Sequence, residues 1–335
     1  MKMKQLTRKV IRSPQDLFRY LDLKEYYQKR NRILIFRGCG GLGDILMHRM
    51  IFEDFKKIMP DCELHFACPS QYHDAVKDHP FLDKVVSSEN IDYSEYLISY
   101  NTTNACGRYE CMKAPHADKN RSDIWAEHCG VELTSHDMHI HLTDEEIQHG
   151  KDIVESKRNG KGPIIAFAPV SAMPTKDLLL HQINCIVDYV KQKCDAYIFT
   201  LHYHPVRGLD SSYIPPLCGL GIREWMAVLN AADYVISVDT SAGHFAGGIK
   251  KPLLSIFTFA DGKVYTKYYP TTTLIQKHRD DGDWECGPCY NWSVCPKTQN
   301  AIKPCLTEIT NKMLKEGIDK MFARFPLSKM ELPIL

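Results

Sequence analysis

The chain has almost no net charge. Its 335 residues carry 42 Lys and Arg against 41 Asp and Glu, a formal +1, so no global field draws it to nucleic acid or an anionic bilayer, and only a local basic groove would do so. No apolar run approaches the roughly 20 residues of a membrane-spanning helix. The basic start (Lys2, Lys4, Arg8, Lys9) is not followed by the apolar stretch of a secretory leader. Repeats of fixed period and low-complexity tracts are also missing, which sets aside solenoids, fibres and disordered tails. Cys is not scarce: there are thirteen, and Cys62, Cys68, Cys129, Cys185 and Cys194 fall in stretches that read as core helices and strands. That is the distribution of reduced thiols rather than of a secreted disulfide frame, and the expected setting is cytoplasmic. With 44% hydrophobic and 25% charged residues, the chain has the composition of a globular protein and length for two domains.

Two segments stand out, Gly38-Cys39-Gly40-Gly41-Leu42-Gly43-Asp44 and Asp239-Thr240-Ser241-Ala242-Gly243-His244. Each follows a short apolar run that reads as a buried parallel strand, Ile33 to Phe36 and Tyr234 to Val238, and each opens a helical pattern. Glycine lets backbone approach a ligand, and the exposed N–H groups of a helix start favour an anion. Two such units imply a phosphorylated ligand and a fold of two halves.

Around them the pattern alternates strand and helix. Residues 1–30 read as a helical extension, with Ser13-Pro14 opening a helix that runs to Arg30. Residues 31–158 read as one βαβ series, with Gln71 to Lys77 helical, Tyr96 to Ser99 a strand, and Thr143-Asp144-Glu145-Glu146 a capping box. The polar stretch Arg158 to Pro163 reads as a linker. A second series follows over 159–310, and 311–335 reads as a C-terminal tail, with a helical stretch from Leu306 to Phe322 that can cross back to the first series. The expected fold class is α/β, two Rossmann-like doubly wound domains with a ligand cleft between them at the carboxyl ends of the strands, plus a Cys-rich C-terminal segment.

Asp44 stands where the Gly-rich loop becomes a helix, so its carboxylate either takes a proton from an acceptor hydroxyl or caps its own helix. Lys176, in a loop with Ser171, Pro174 and Thr175, either neutralises a diphosphate leaving group or is a solvated surface Lys. Asp239 to His244 offers hydroxyls at Thr240 and Ser241, bare backbone at Gly243 and an imidazole at His244, suited to a diphosphate or ribose. A structural role for the His is the alternative.

These residues, in this order, resemble glycosyltransferase family 9, the heptosyltransferase-like enzymes of GT-B architecture. The resemblance rests on Gly43-Asp44, on Lys176, on Asp239-Thr240 with His244, and on Ala246 to Pro252, and covers roughly residues 31 to 310. It implies an inverting glycosyltransferase that needs no catalytic metal. Asp44 would be the base, and Lys176 would sit on the diphosphate of a nucleotide-diphosphate sugar. Gly41, Gly43, Ser171, Asp239, Thr240, Ser241, Gly243 and His244 would complete the donor site. The chain departs from the family pattern in having Asp177-Leu178-Leu179 after the loop Lys and Ser241 where Gly is common. The acceptor would be a glycan, a lipid-linked glycan or a protein side chain, and assembly into an oligomer stays open. Other readings are a sugar-nucleotide epimerase, a transferase acting on modified DNA bases, and a non-enzymatic nucleotide-binding module.

Near the C-terminus, Cys286-Gly287-Pro288-Cys289, Cys295 and Cys305 can supply four thiolates to a structural zinc or iron ion, or can be ordinary cysteines under a loop. The stretch Tyr100 to Asn120 reads as a long irregular loop and the candidate acceptor region. His202 to Pro205 follow a strand and can line the cleft, but two His at i and i+2 without acidic neighbours make a poor metal site, and a structural role is the alternative; the Trp225-Met226 pair reads as core.

Overall fold

The computed structural model describes residues 31–158, 162–212, 214–277, 288–290, 294–295, 297–300 and 302–326. The expected N-terminal helix and Cys286 therefore lie outside the described residues.

The apolar runs form strands and the stretches between them form helices. The first sheet is β1 (Arg32–Phe36), β2 (Glu63–Cys68), β3 (Lys84–Ser87) and β4 (Ile98–Asn101), all parallel, in the order β3-β2-β1-β4. The second is β5 (Ile164–Ala168), β6 (Tyr197–Leu201), β7 (Pro216–Leu217), β8 (Tyr234–Val238), β9 (Leu253–Phe257) and β10 (Thr272–Gln276), also parallel, in the order β10-β9-β8-β5-β6-β7. Strands β5, β6, β8 and β9 are buried along their whole length, because parallel sheets are covered on both faces and so need continuous apolar runs. In each sheet the order reverses beside the first strand, between β1 and β4 and between β5 and β8. Loops leaving the carboxyl ends of those strands splay apart there and leave a crevice.

The helices are α1 (Leu42–Ile58), α2 (Ala105–Lys113), α3 (Arg121–His128), α4 (Asp144–Lys157), α5 (Leu180–Cys194), α6 (Ile222–Ala231), α7 (Ser241–Gly248), α8 (Gly262–Tyr265), α9 (Pro304–Thr307) and α10 (Asn311–Arg324). The capping box of α4 forms as the sequence predicts: Thr143 Oγ1 accepts from Glu146 N at 3.2 Å and Thr143 N donates to Glu146 Oε2 at 2.9 Å. Helix α4 lies against α6, where a Cβ on Gly150 would come within 2.4 Å of the Ala227 carbonyl.

Three local expectations change. Gln71 to Lys77 is a short 3-10 turn over Ser70–Ala75. The stretch Tyr100 to Asn120 is not a long loop, since β4 ends and α2 lies within it. The last described helix does not cross back to the first sheet. Helix α10 packs on α5, β9 and β10, with Gly317 against Ile275 and Leu254 and Tyr189 Oη donating to Asp319 at 2.8 Å. Its apolar residues Leu314, Ile318 and Met321 complete the core of the second half.

Candidate functional site

A cavity of about 530 Å³ lies at both switch points at once. Its first wall comes from the loop after β1, the start of α1 and the loop after β4. Its second comes from the loops after β5, β6, β7 and β8. Asp44, Gly41, Gly43, Ser171, Lys176, Asp239, Thr240, Ser241 and His244 all line it. Gly243 does not; it lies behind, where a Cβ would stand 3.4 Å from Ser237 Oγ.

The two Gly-rich helix starts face each other. A Cβ on Gly43 would fall 2.7 Å from His244 Cδ2 and 3.5 Å from Ser241 Cα, so α1 can approach α7 this closely only without a side chain there. Neither start is capped by a side chain: the N-cap residues are Gly41 for α1 and Thr240 for α7, and neither makes a side-chain cap bond. Their first-turn N–H groups and dipoles point toward one space, an arrangement that favours an anion.

Asp44 does not cap its helix. Its Oδ2 accepts from Arg37 Nη2 at 2.9 Å and its Oδ1 from Arg121 Nη1 at 2.7 Å. Burial pushes this carboxyl up, but the Arg121 and Arg37 guanidiniums outweigh it and hold it at about 2. Arg37 is fixed in turn by the carbonyls of Thr102 (3.3 Å) and Thr103 (2.9 Å), which ties the loops after β1 and β4 together. Gly40 sits under this pair with φ +126°, and a Cβ there would be 2.8 Å from both Arg37 Nη2 and Asp44 Oδ2. His48 donates from Nδ1 to the Asp44 carbonyl at 2.8 Å and stacks on Trp125 at 3.6 Å. Burial pushes its imidazole down to about 3, so it is neutral and structural.

On the second wall, Lys176 Nζ pairs with Asp239 Oδ2 at 2.6 Å and ties the loops after β5 and β8. Burial alone would raise the Asp239 carboxyl, but Lys176 and His244 depress it well below the usual range. His244 Nε2 lies 3.7 Å from Asp239 Oδ1, and its Nδ1 is bonded to Tyr269 Oη at 2.8 Å. Ser171 shapes its own loop: its N–H donates to Asp177 Oδ1 at 2.7 Å and its hydroxyl to the Met173 carbonyl at 2.8 Å.

Sequence reading missed Arg37, Glu110, Arg121 and Tyr265. Arg121 grips Glu110 through Nε (2.7 Å) and Nη2 (2.9 Å), and Tyr265 Oη donates to Glu110 Oε1 at 2.9 Å. Trp225, expected in the core, is only partly buried and lines the cavity with Leu201, Leu217 and Leu220, and His202 and Tyr203 line it too. Arg37 adjoins the Gly-rich loop, a signal that could have found it. The others lie on other elements.

Of the four expected metal ligands, Cys289, Cys295 and Cys305 are described. Among the described residues no three His, Cys, Asp or Glu side chains are grouped to hold an ion. The buried Lys303 ammonium lies 3.7 Å over the Phe259 ring. Burial pulls it down, against the opposing influence of the Cys289, Cys305 and Cys295 thiols nearby. Burial raises the Cys295 thiol, but the Thr298 hydroxyl and the Thr298 and Lys297 amides bring it below its usual range.

Residues 203–285 match the family model of glycosyltransferase family 9 (heptosyltransferase). Among solved structures the chain is similar to the glycosyl transferase family 9 protein from Veillonella parvula DSM 2008, with TM-score 0.65 and 12% identity over 88% of this chain and 97% of that one. It is also similar to the E. coli ADP-heptose lps heptosyltransferase II, with TM-score 0.62 and 11% identity over 88% and 99%. A third is the dodecameric iron-containing heptosyltransferase TibC of enterotoxigenic E. coli H10407, solved with ADP-D-beta-D-heptose, with TM-score 0.65 and 14% identity over 88% and 77%. No curated protein sequence matches the chain. At such identities the structural likeness carries the fold, two Rossmann-like halves in GT-B arrangement.

Proposed function

As a heptosyltransferase-like glycosyltransferase of family 9, this chain is, we propose, an inverting enzyme that moves a sugar from a nucleotide-diphosphate donor to an acceptor hydroxyl. The acceptor oxygen bonds to the anomeric carbon as the bond from that carbon to the diphosphate breaks. The bonding pair leaves with the diphosphate, and the hydroxyl proton passes to Asp44. One displacement inverts the anomeric centre. Held at about 2, the Asp44 carboxylate is ionised at any working pH. It is also a weak base, so the proton moves late, once C–O bond formation has acidified the hydroxyl.

The observation that supports this most directly is the placement of Asp44 and of the Lys176–Asp239 pair on opposite walls of one cavity, with the starts of α1 and α7 facing each other. Asp239 fixes the Lys176 ammonium beside the start of α7, where its positive charge and the helix N–H groups meet the charge that develops on the leaving diphosphate. The apolar wall of Leu201, Leu217, Leu220 and Trp225 takes the nucleoside. In this reading residues 159–310 hold the donor and residues 31–158 present the acceptor, a glycan, lipid-linked or protein hydroxyl, along Thr103 to Gly107. ADP-heptose is the first donor to try, because two of the three solved relatives named above are described with it. Cys286, Cys289, Cys295 and Cys305 have the spacing to supply four thiolates to a structural zinc or iron, but the three that are described are not grouped to hold an ion, so their spacing alone carries this reading. Metal analysis of the purified chain tests it: absence of a stoichiometric ion ends it.

A thermal-shift panel of ADP, UDP, GDP, CMP, dTDP and ADP-heptose on the wild type and Lys176→Ala tests the donor site. A ligand at about 100 times its dissociation constant adds roughly 2.7 kcal/mol. One nucleotide class should stabilise the wild type and lose most of that effect in the variant. No stabilisation by any of them would overturn the reading. With a stabilising donor, NMR of the glycoside formed reads whether the anomeric centre has inverted.

A further inference from the structure

We propose that Arg121 is a positioning residue for the Asp44 carboxylate, and that Glu110 and Tyr265 anchor it to the second half of the molecule so that the base is in working geometry only when the two halves are together. This rests on the reading of Asp44 as the base.

Arg121 is the first residue of α3, where the helix dipole disfavours a cation. Its place is set by its partners. The two-pronged grip on Glu110 fixes the guanidinium plane and leaves Nη1 aimed at Asp44 Oδ1 at 2.7 Å. Glu110 is 2% exposed, so its charge stands only with Arg121 beside it. The far end of the chain of contacts belongs to the second half. Tyr265 donates to Glu110 Oε1, and its ring lies under the Arg121 guanidinium at 5.0 Å. The neighbouring Asn120 caps α3 with its side-chain oxygen and donates from Nδ2 to the carbonyls of Val264 (2.9 Å) and Tyr265 (3.0 Å). Two residues after Arg121, Asp123 accepts from Tyr268 Oη at 2.8 Å. Helix α3 is thus bolted to the segment 264–268 at the point where Arg121 reaches back to the base.

The groups that act on Asp44 are Arg37 just past β1, His48 from its own helix, Arg121 from α3 and Cys106 from α2; Glu110 from α2 and Tyr265 from the second half stand behind Arg121, and His244 from the second half adjoins Gly43. The charged members alternate in sign from Arg37 through Asp44 and Arg121 to Glu110. Removing Arg121 strips Oδ1 of its partner and leaves burial opposed by Arg37 and, after it, His48, so the carboxyl must titrate higher.

The test is a carbon-13 NMR titration of Asp carboxyls, with Asp44 assigned by its loss in Asp44→Asn, run on the wild type, Arg121→Gln and Tyr265→Phe. Because Arg121→Gln leaves Glu110 buried without a counter-charge, Glu110→Gln/Arg121→Gln serves where the single variant does not fold. The expected result is an Asp44 titration raised by about one pH unit or more in the Arg121 variants, and in Tyr265→Phe a smaller shift in the same direction. In parallel, the acid limb of ADP-heptose turnover should move up with it, while the donor KM stays constant. An unmoved Asp44 titration in a folded Arg121 variant overturns the proposal. Full turnover by Asp44→Asn instead overturns the base reading itself, whatever the titration shows.

Discussion

Replacing Gly43 by Ala adds one methyl group at the closest approach of the two halves. Built on the existing backbone, that carbon would lie 2.7 Å from His244 Cδ2, well inside van der Waals contact. The imidazole cannot simply swing away, because Nδ1 is bonded to Tyr269 Oη at 2.8 Å and Tyr269 is itself packed against Gly247. Either the His244–Tyr269 bond breaks or α1 backs off from α7. Overpacking of this kind costs about 1–3 kcal/mol, and at about 2 °C per kcal/mol for a chain of this size the melting temperature should fall by roughly 2–6 °C. Gly41 is the matched control two positions away. Nothing lies within 4 Å of its added Cβ and its φ is −89°, so Gly41→Ala should lose only about half a kcal/mol of N-cap preference. The assay is thermal unfolding of both variants, with a thermal-shift measurement of ADP binding alongside. Since His244 belongs to the proposed diphosphate wall, Gly43→Ala should lose binding as well as stability. Equal melting temperatures for the two variants would refute the close approach of the helix starts.

Asp44→Asn should lower turnover by about 10²- to 10⁴-fold and leave ADP stabilisation intact; loss of both together would point to collapse of the Arg37–Arg121 site instead. Stability should fall between pH 7 and pH 5. Burial holds His48 and His79 at about 3 in the folded state, below the unfolded value of about 6.5. The unfolded chain therefore takes up their protons first as pH drops, and each ring costs about 2 kcal/mol over that interval. Urea unfolding at the two pH values measures it, and His79→Asn should remove about half. Gly150→Ala drives a methyl into the Ala227 backbone at 2.4 Å, so it should destabilise the chain by about 1–3 kcal/mol; unchanged unfolding would mean that α4 and α6 are not in contact.

What could be read from the sequence is what neighbouring residues decide among themselves. The apolar runs of β5, β8 and β9, the Thr143 capping box and the two Gly-rich helix starts each carry their signal within a few residues, and each forms where expected. The short α2 was hidden because its residues are nearly as polar on one side as on the other. It is held by contacts, such as Glu110 with Arg121 and Tyr265, that no local pattern encodes. Helix α10 could be recognised as amphipathic, but only the pairing of Gly317 with Ile275 decides which sheet its apolar side covers. Trp225 has the spacing of a core residue and is partly one, its ring tilted against Phe245 while its remaining surface lines the cavity.

The partners of Asp44 show where local reading stops. The switch-point rule brings the loop after β1 beside the loop after β4 once the strand order is known, and that accounts for Arg37 on Thr102 and Thr103. It does not reach Arg121, which depends on the packing of α3 against residues 264–268 across the two halves. The sequence alone presents Asp44 as a free carboxylate at the mouth of a glycine loop. The fold makes it one of four alternating charges, paired on both oxygens, and whatever it does in catalysis it does with Arg37 and Arg121 attached.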